Sequence, residues 1–381
     1  MSTSSSSSAS SASIDAERVP VRPVAVVYCE GNFGKIDGKT ANGLVRQSET
    51  YVIASVIDST CAASDAGMVL DGIPNGVRIV ADIDEAMAQG NGNPGVFIVG
   101  LAPTSGLLSA MERTVILGAI ARGLHIVSGL HEFLTEDAEF VAAAHASGVL
   151  ISDVRMPRAK KDLRMFTGRI RQVTCPRIAV LGTDGAIGKR TTATILTRVL
   201  NERGIRAVMV STGQTGLIQG ARFGVALDAV PAQFVTGELE ATVLEAFDSE
   251  DPDVIIVEGQ GALSHPTYLS STAILRGSQP QGVVLQHAPT RRFASDFPDF
   301  PMPTAASEIA LIELFAKTDV IGLTLNHEGM TDDDVEAAIA IYEAELGIPV
   351  TDALWRSGDR LVDMVLSAFP ALRPGAPLDV H

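Results

Sequence analysis

The segment 180–192, VLGTDGAIGKRTT, holds the residues best suited to grip a phosphate. Gly182, Gly185 and Gly188 let the main chain curl so that successive N–H groups converge on anionic oxygens. Thr183, Asp184, Ala186 and Ile187 complete the loop, and Lys189 adds a mobile cation. A helix beginning at Lys189 would add the partial positive charge of its N-terminus. The spacing departs from GxxxxGK[ST]. Its first glycine is displaced to Gly182, and Arg190 stands where a hydroxyl normally ligates Mg²⁺, with Thr191 and Thr192 following. Binding of a pyrophosphate-bearing ligand is therefore expected, whereas metal-assisted transfer of a γ-phosphoryl group is put in doubt. Arg190 would meet another phosphate or a carboxylate.

Other chemistry-bearing residues stand at the ends of apolar runs. In DPDVIIVEGQGALSHP (251–266), Glu258 closes a strand and faces the loop as a metal ligand or general base. Gln260 and the backbone N–H groups of Gly259–Gly261 would stabilise an oxyanion. STGQTG (211–216) brings Gln214, and His265 precedes a proline, both as candidate substrate contacts. QHAPTRR (286–292) supplies His287 as a second acid–base candidate, with Arg291 and Arg292 suited to carboxylates. Asn326 in LTLNHE would read an adenine edge, although asparagine in a turn is more often only a turn former.

The elements that must position these residues alternate short apolar runs with amphipathic stretches. VAVVY (24–28), YVIASVI (51–57), GVFIVG (95–100), LHIVSG (124–129) and VLISDV (149–154) read as buried parallel strands. A second series comprises RIAVLG (177–182), RAVMVS (206–211), DVIIVEG (253–259), QGVVLQH (281–287) and VIGLTLN (320–326). This pattern predicts an α/β protein of two domains, an N-terminal Rossmann-like parallel sheet and a C-terminal P-loop parallel sheet. The expected boundaries are a disordered Ser-rich tail over 1–20, a Rossmann-like domain over 21–155, a basic linker over 156–175 and a P-loop domain over 176–381. The bases Arg155, Arg158, Lys160, Lys161, Arg164, Arg169 and Arg171 make that junction a boundary first, and then a possible clamp for an anion or a second subunit. Asp58, ending the second run, stands where a dinucleotide fold binds a ribose hydroxyl, but EGNFGKIDGKTANG is not a clean GxGxxG turn.

With 381 residues, 46% of them hydrophobic and 19% charged, the chain can bury large cores, which excludes a disordered or fibrous protein. A net charge of −16 argues against nucleic acid or anionic membrane as a partner. Three scattered cysteines, Cys29, Cys61 and Cys175, suit a reducing compartment and lack zinc-site spacing. With no signal-peptide pattern and no long apolar run, a cytoplasmic location is expected. The apolar stretch Leu107–Ile120 makes a homo-oligomer the expected assembly.

GTDGAIGK followed by VEGQG, and then by a strand ending in Asn, is similar to the dethiobiotin-synthetase-like branch of P-loop proteins. A longer likeness is to the D-glutamate N-acetyltransferase family, formerly a domain of unknown function. The family's motifs stand here as GTDGAIGKRTT, STGQTGLIQG, VEGQGALSHP and HAPTRR, and its N-terminal domain is echoed by GKTANGLVR (38–46), VIDST (56–60), SGLHEFLTED (128–137) and SDVRMPR (152–158). This resemblance implies transfer of an acetyl group from acetyl-CoA to the amine of D-glutamate. The loop Gly182–Lys189 would hold the coenzyme's pyrophosphate, and Arg190 or a linker base its 3′-phosphate. Glu258 or His287 would be the base, and Arg291 and Arg292, with Gln214 and His265, would orient the acceptor. No resident metal is implied. One rival reading is a Mg²⁺–ATP-dependent ligase or kinase, in which Glu258 and Thr191 hold the ion. The other is a nucleotide-dependent regulator without turnover.

Overall fold

The apolar runs become two parallel sheets in the computed structural model, which describes residues 22–88, 93–103 and 105–373. The expected Ser-rich tail, 1–20, lies outside the described residues. The first sheet contains β1 (Val24–Tyr28), β2 (Val52–Ile57), β3 (Arg78–Val80), β4 (Val96–Val99), β5 (His125–Ser128) and β6 (Ile151–Asp153). Its order is β3-β2-β1-β4-β5-β6, with every pairing parallel. That is the doubly wound dinucleotide-fold order, with its switch point between β1 and β4. Phe97, Ile98, Ile116, Ile120 and Phe140 fill its core.

The second sheet contains β7 (Arg177–Gly182), β8 (Ala207–Ser211), β9 (Phe223–Gly224), β10 (Val254–Glu258) and β11 (Gly282–His287). After a short antiparallel hairpin of β12 (Phe293–Ala294) and β13 (Phe297–Pro301), it is completed by β14 (Asp319–Leu325) and β15 (Val350–Asp352). The order is β15-β14-β11-β7-β10-β8-β9, again parallel throughout. Both faces are covered, and the alternation of side chains along β7 shows it. Ala179 and Leu181 enter one core, while Ile178 and Val180 enter the other, beneath the helix Lys189–Glu202. β7 is flanked by β10 and β11, so the phosphate-loop strand sits at the centre of its sheet.

The domains are bonded to each other. The helix Lys39–Arg46 packs on the helix Gln214–Gln219, with Thr40 and Thr215 hydroxyls 3.1 Å apart. Gln219 Nε2 donates to the Gly43 and Gln47 carbonyls at 2.6 and 2.7 Å. The basic segment 156–175, although a boundary in sequence, packs with the P-loop domain. Arg164 pairs with buried Glu238 at 2.7 Å, and the Thr167 and Ile170 N–H groups donate to buried Glu240. Arg158 approaches the same Glu238 at 3.6 Å. Arg158 and Arg164 therefore meet a protein carboxylate rather than forming an open clamp. Among the described residues no helix is long and apolar enough to cross a membrane.

Candidate active site

After β7 the chain turns through Thr183–Gly188 into the helix Lys189–Glu202, so a glycine-rich turn leads directly into a helix N-terminus. Gly188 has φ +100°, a left-handed conformation that only glycine adopts cheaply, and Ala186 is also left-handed at +48°. Buried Lys189 folds back so that Nζ donates to the Asp184 carbonyl. Burial pulls its pKa down to about 7, with Asp184 acting in the opposite direction. An ammonium held on a loop carbonyl in this way is ready to exchange that partner for a ligand oxygen.

Parity along the strands decides which side chains share this place. On β10, Val254 and Ile256 face the core under the phosphate-loop helix, and Glu258 follows in the same phase. Its carboxylate accepts from the Thr212 N–H at 3.1 Å and lies 3.5 Å from the Arg190 guanidinium. Gln260 donates to the Thr212 hydroxyl at 2.8 Å. Arg190 also donates to Gln219 and, at 3.1 Å, to Ser211. A Cβ on Gly216 would collide with the Ser211 side chain and with that guanidinium, which explains the second glycine of GQTG. Arg190 is thus tied to the domain junction and to Glu258.

The same parity corrects the expectation for His287. Val284 faces the phosphate-loop helix, whereas Val283 and Leu285 face the opposite core, and His287 continues the latter set. Its ring is buried between the Thr183 hydroxyl at 2.9 Å and the Tyr342 hydroxyl at 3.1 Å. Burial holds its pKa down at about 4. It forms no part of the cleft described below, so it braces the loop from behind. Gln286, one residue earlier, takes the cleft side and accepts from Thr192 at 2.6 Å.

Arg291 does line the cleft, but its donors are occupied. Nη1 meets buried Asp184 and the Gly185 carbonyl, both at 3.0 Å, and Nη2 meets Glu328 at 2.7 Å and the Ala186 carbonyl at 3.3 Å. It staples the phosphate loop and does not present a free fork to a substrate carboxylate. Arg292 is exposed and outside the cleft wall. Asn326 donates to the Ile187 carbonyl at 2.9 Å and accepts from the Glu328 N–H at 2.9 Å, so its amide also holds the loop. His265 is buried behind Tyr268, ring centroids 4.4 Å apart, and does not reach the cleft wall. Gln214 is buried and does line it, as does Thr191. Asp58 is wholly buried and bonded to the Phe33 N–H and the Thr60 hydroxyl, which leaves it no role as a ribose acceptor.

These residues border a cleft of about 640 Å³ that is walled by both domains. The P-loop domain contributes loops after β7, β8, β10, β11, β14 and β15, so all its main strands point their carboxyl ends at the cleft. The Rossmann-like domain contributes Lys39 after β1, His131 after β5 and Arg155 after β6. Arg155 is buried; it donates to the Gly129 carbonyl at 2.5 Å and pairs with Asp228. His131 lies 3.8 Å from the same carboxylate, and partial burial, then Arg155, lower its pKa. Tyr268 donates to Asp296, and both line the cleft. Sequence reasoning assigned no role to Lys39, His131, Tyr268, Asp228 or Asp296, and placed Arg155 only in the basic run. Yet Lys39, His131 and Arg155 lie within GKTANGLVR, SGLHEFLTED and SDVRMPR, motifs noticed for their likeness alone. Among the described residues no group of three or more His, Cys, Asp or Glu side chains is arranged to hold a metal.

Comparisons with known proteins cover most of the chain. The model of the domain of unknown function DUF1611_N, a Rossmann-like domain, matches residues 59–157, and that of the DUF1611_C P-loop domain matches residues 164–362. A D-glutamate N-acetyltransferase from Tritonibacter scottomollicae is 32% identical over 288 residues, spanning 74% of this chain and 83% of the relative. One from a Pseudoalteromonas species is 31% identical over 273 residues, spanning 70% and 80%. The crystal structure of a DUF1611 family protein from Anabaena variabilis aligns with a TM-score of 0.83 at 32% identity, over 91% of this chain and 100% of the other.

Proposed function

The chain belongs to the D-glutamate N-acetyltransferase family, and from that premise we propose that it transfers the acetyl group of acetyl-CoA to the amine of D-glutamate. One observation carries the reading: the carboxyl edges of the two sheets border a single cleft, with a phosphate loop and buried Glu258 on one wall and Lys39, His131 and Arg155 on the other.

In this reading the main-chain amides of Gly185–Gly188 and the Lys189 ammonium hold the coenzyme's diphosphate. The adenine end lies toward Asn326–Glu328 and Ala353–Leu354, which border the same cleft. There the His327 ring stacks on Trp355 at 3.8 Å and is fixed by Asp352 at 2.8 Å. Glu258, oriented by Thr212 and Arg190, takes the proton from the acceptor's ammonium. The freed amine attacks the thioester carbonyl, the C–N bond forms, and the C–S bond breaks; the leaving thiolate takes up the second proton that the new amide nitrogen sheds and departs as the thiol. Gln260 and the neighbouring backbone N–H groups stabilise the developing oxyanion. No phosphate is cleaved, so displacement of the Mg²⁺-binding hydroxyl by Arg190 costs the reaction nothing.

The decisive experiment is thiol release from acetyl-CoA over a panel of D- and L-amino acids, with and without ATP and Mg²⁺. D-glutamate should drive release, and ATP and Mg²⁺ should not be required. Turnover that consumes ATP with Mg²⁺ and ignores acetyl-CoA would instead establish the ligase or kinase reading. Nucleotide-dependent dimerisation without turnover would establish the regulator.

A further inference from the structure

Three basic side chains on the Rossmann-domain wall, the cations Lys39 and Arg155 and the His131 imidazole, have no task in the chemistry above. Lys39 opens the helix that follows β1, His131 sits in the loop after β5, and Arg155 follows β6, so three separate strand ends bring them to one cleft. The Lys39 ammonium has no hydrogen-bond or ion-pair partner among the described residues. Lys39 is exposed at the cleft wall, where the Arg155 charge acts against its own and the Asp296, Asp228 and Asp37 carboxylates act in its favour, and Arg155 acts on His131 as well. Two cations that disfavour each other's charge, one of them unpaired, make a site that an anion completes.

The diphosphate has its own cradle of main-chain amides and Lys189 on the opposite wall. Beside the cations stand carboxylates, Asp228 against Arg155 and His131, and Asp296 against Tyr268. Such carboxylates offer a partner to an ammonium, which an amino acid carries and a phosphate lacks. Cations interleaved with carboxylates complement a zwitterionic amino acid better than a nucleotide. We infer that Lys39, backed by Arg155 and His131, receives a carboxylate of the amino-acid acceptor, making the Rossmann-like domain the acceptor-binding half of the enzyme. The inference rests on the acetyltransferase reading for the identity of the acceptor, but not for the existence of a carboxylate site.

The test is calorimetric titration of the full chain with glutarate, D-glutamate and coenzyme A, for the native protein, Lys39→Met and Lys39→Arg. Glutarate has two carboxylates and no amine, so it reports this site without any reaction. Lys39→Met should weaken glutarate and D-glutamate by about tenfold or more, the size expected for a charge-assisted hydrogen bond. Coenzyme A affinity should stay within about threefold, which also shows that the variant is folded, and Lys39→Arg should recover much of the loss. Native-like glutarate binding by Lys39→Met would overturn the inference, as would loss of coenzyme A binding in its place. A native protein that binds D-glutamate but releases no thiol would refute the acetyltransferase reading and leave this site standing. One that releases thiol with some other acceptor but binds no dicarboxylate would do the reverse.

Discussion

The wall contributed by the P-loop domain centres on one glycine-rich turn, and the wall contributed by the Rossmann-like domain on side chains from separate loops. On the first, the turn Thr183–Gly188 carries the proposed cradle, and the side chains of Arg291, Asn326 and His287 bond to it. On the second, Lys39, His131 and Arg155 arrive from three distant loops. A main-chain cradle must be spelled in neighbouring residues, because adjacent N–H groups have to point at one place. A side-chain site has no such requirement, since each residue needs only a strand end that reaches the cleft. In the proposed reading the two walls differ in function, and they differ as well in how openly a sequence displays them.

The largest expected effect tests whether chemistry lies at the junction of the two walls. Glu258→Gln should lower turnover by about 10²–10⁴-fold, the usual contribution of a general base, with coenzyme A and glutarate affinities nearly unchanged. A variant that retains turnover would remove Glu258 from the reaction.

The next effect tests the main-chain wall. Lys189→Ala should weaken coenzyme A by about 10- to 100-fold while leaving glutarate binding alone. Combined with Lys39→Met, the two losses should add, each confined to its own ligand, because the groups serve different partners. Strong coupling between them in a titration of either ligand would collapse the distinction between the walls.

The titration of Lys189 gives a smaller signal on the same wall. Its pKa in the free protein is about 7, and a bound diphosphate favours the charged form, raising the pKa toward its ordinary value. Coenzyme A affinity should then be level below pH 7 and fall by up to about tenfold per unit above it, until the bound-state pKa is reached. Binding at pH 8 should take up protons, measured by calorimetry in buffers of different ionisation enthalpy. Affinity independent of pH from 7 to 9 would mean that Lys189 does not meet the phosphates.

Much of this fold is legible before any coordinates exist. The apolar runs become β1, β2, β4–β8, β10, β11 and β14; most of these are buried and carry an unbroken signal, while three-residue β6 is read through the apolar residues that precede it. β3, β9 and β15 have three residues or fewer and do not stand in such a run, so their signal does not rise above a loop. The phosphate loop is equally plain. What stays hidden is anything that depends on a partner in space. Arg291 has the residue type for binding carboxylates, and it binds them, but they are the protein's own Asp184 and Glu328. The basic residues of the Rossmann side are visible only as motif letters without a task, because nothing local says that the ends of β1, β5 and β6 meet the ends of β7 and β10.

His287 shows the same limit most sharply, and it carries the smallest expected effect on catalysis. Its place at a strand's carboxyl end is right for an acid or base, but one step of alternation separates the cleft from the opposite core. Gln286 takes the first and His287 the second. His287→Asn should therefore change turnover much less than Glu258→Gln, and act on stability instead. The ring's pKa in the fold is about 4, against about 6.5 when unfolded. Its neutral state is favoured fully above pH 6.5, and that stabilisation fades as pH falls toward 4, where the unfolded chain binds the extra proton more readily. The difference is of order 3 kcal/mol across that window. Denaturant midpoints measured from pH 7 to pH 4 should fall less steeply for His287→Asn than for the native protein. Parallel slopes would show that this ring does not carry the acid sensitivity. A loss of turnover matching that of Glu258→Gln, in a variant that still binds coenzyme A, would return His287 to the chemistry and erase the contrast between bracing and reacting groups on the P-loop wall.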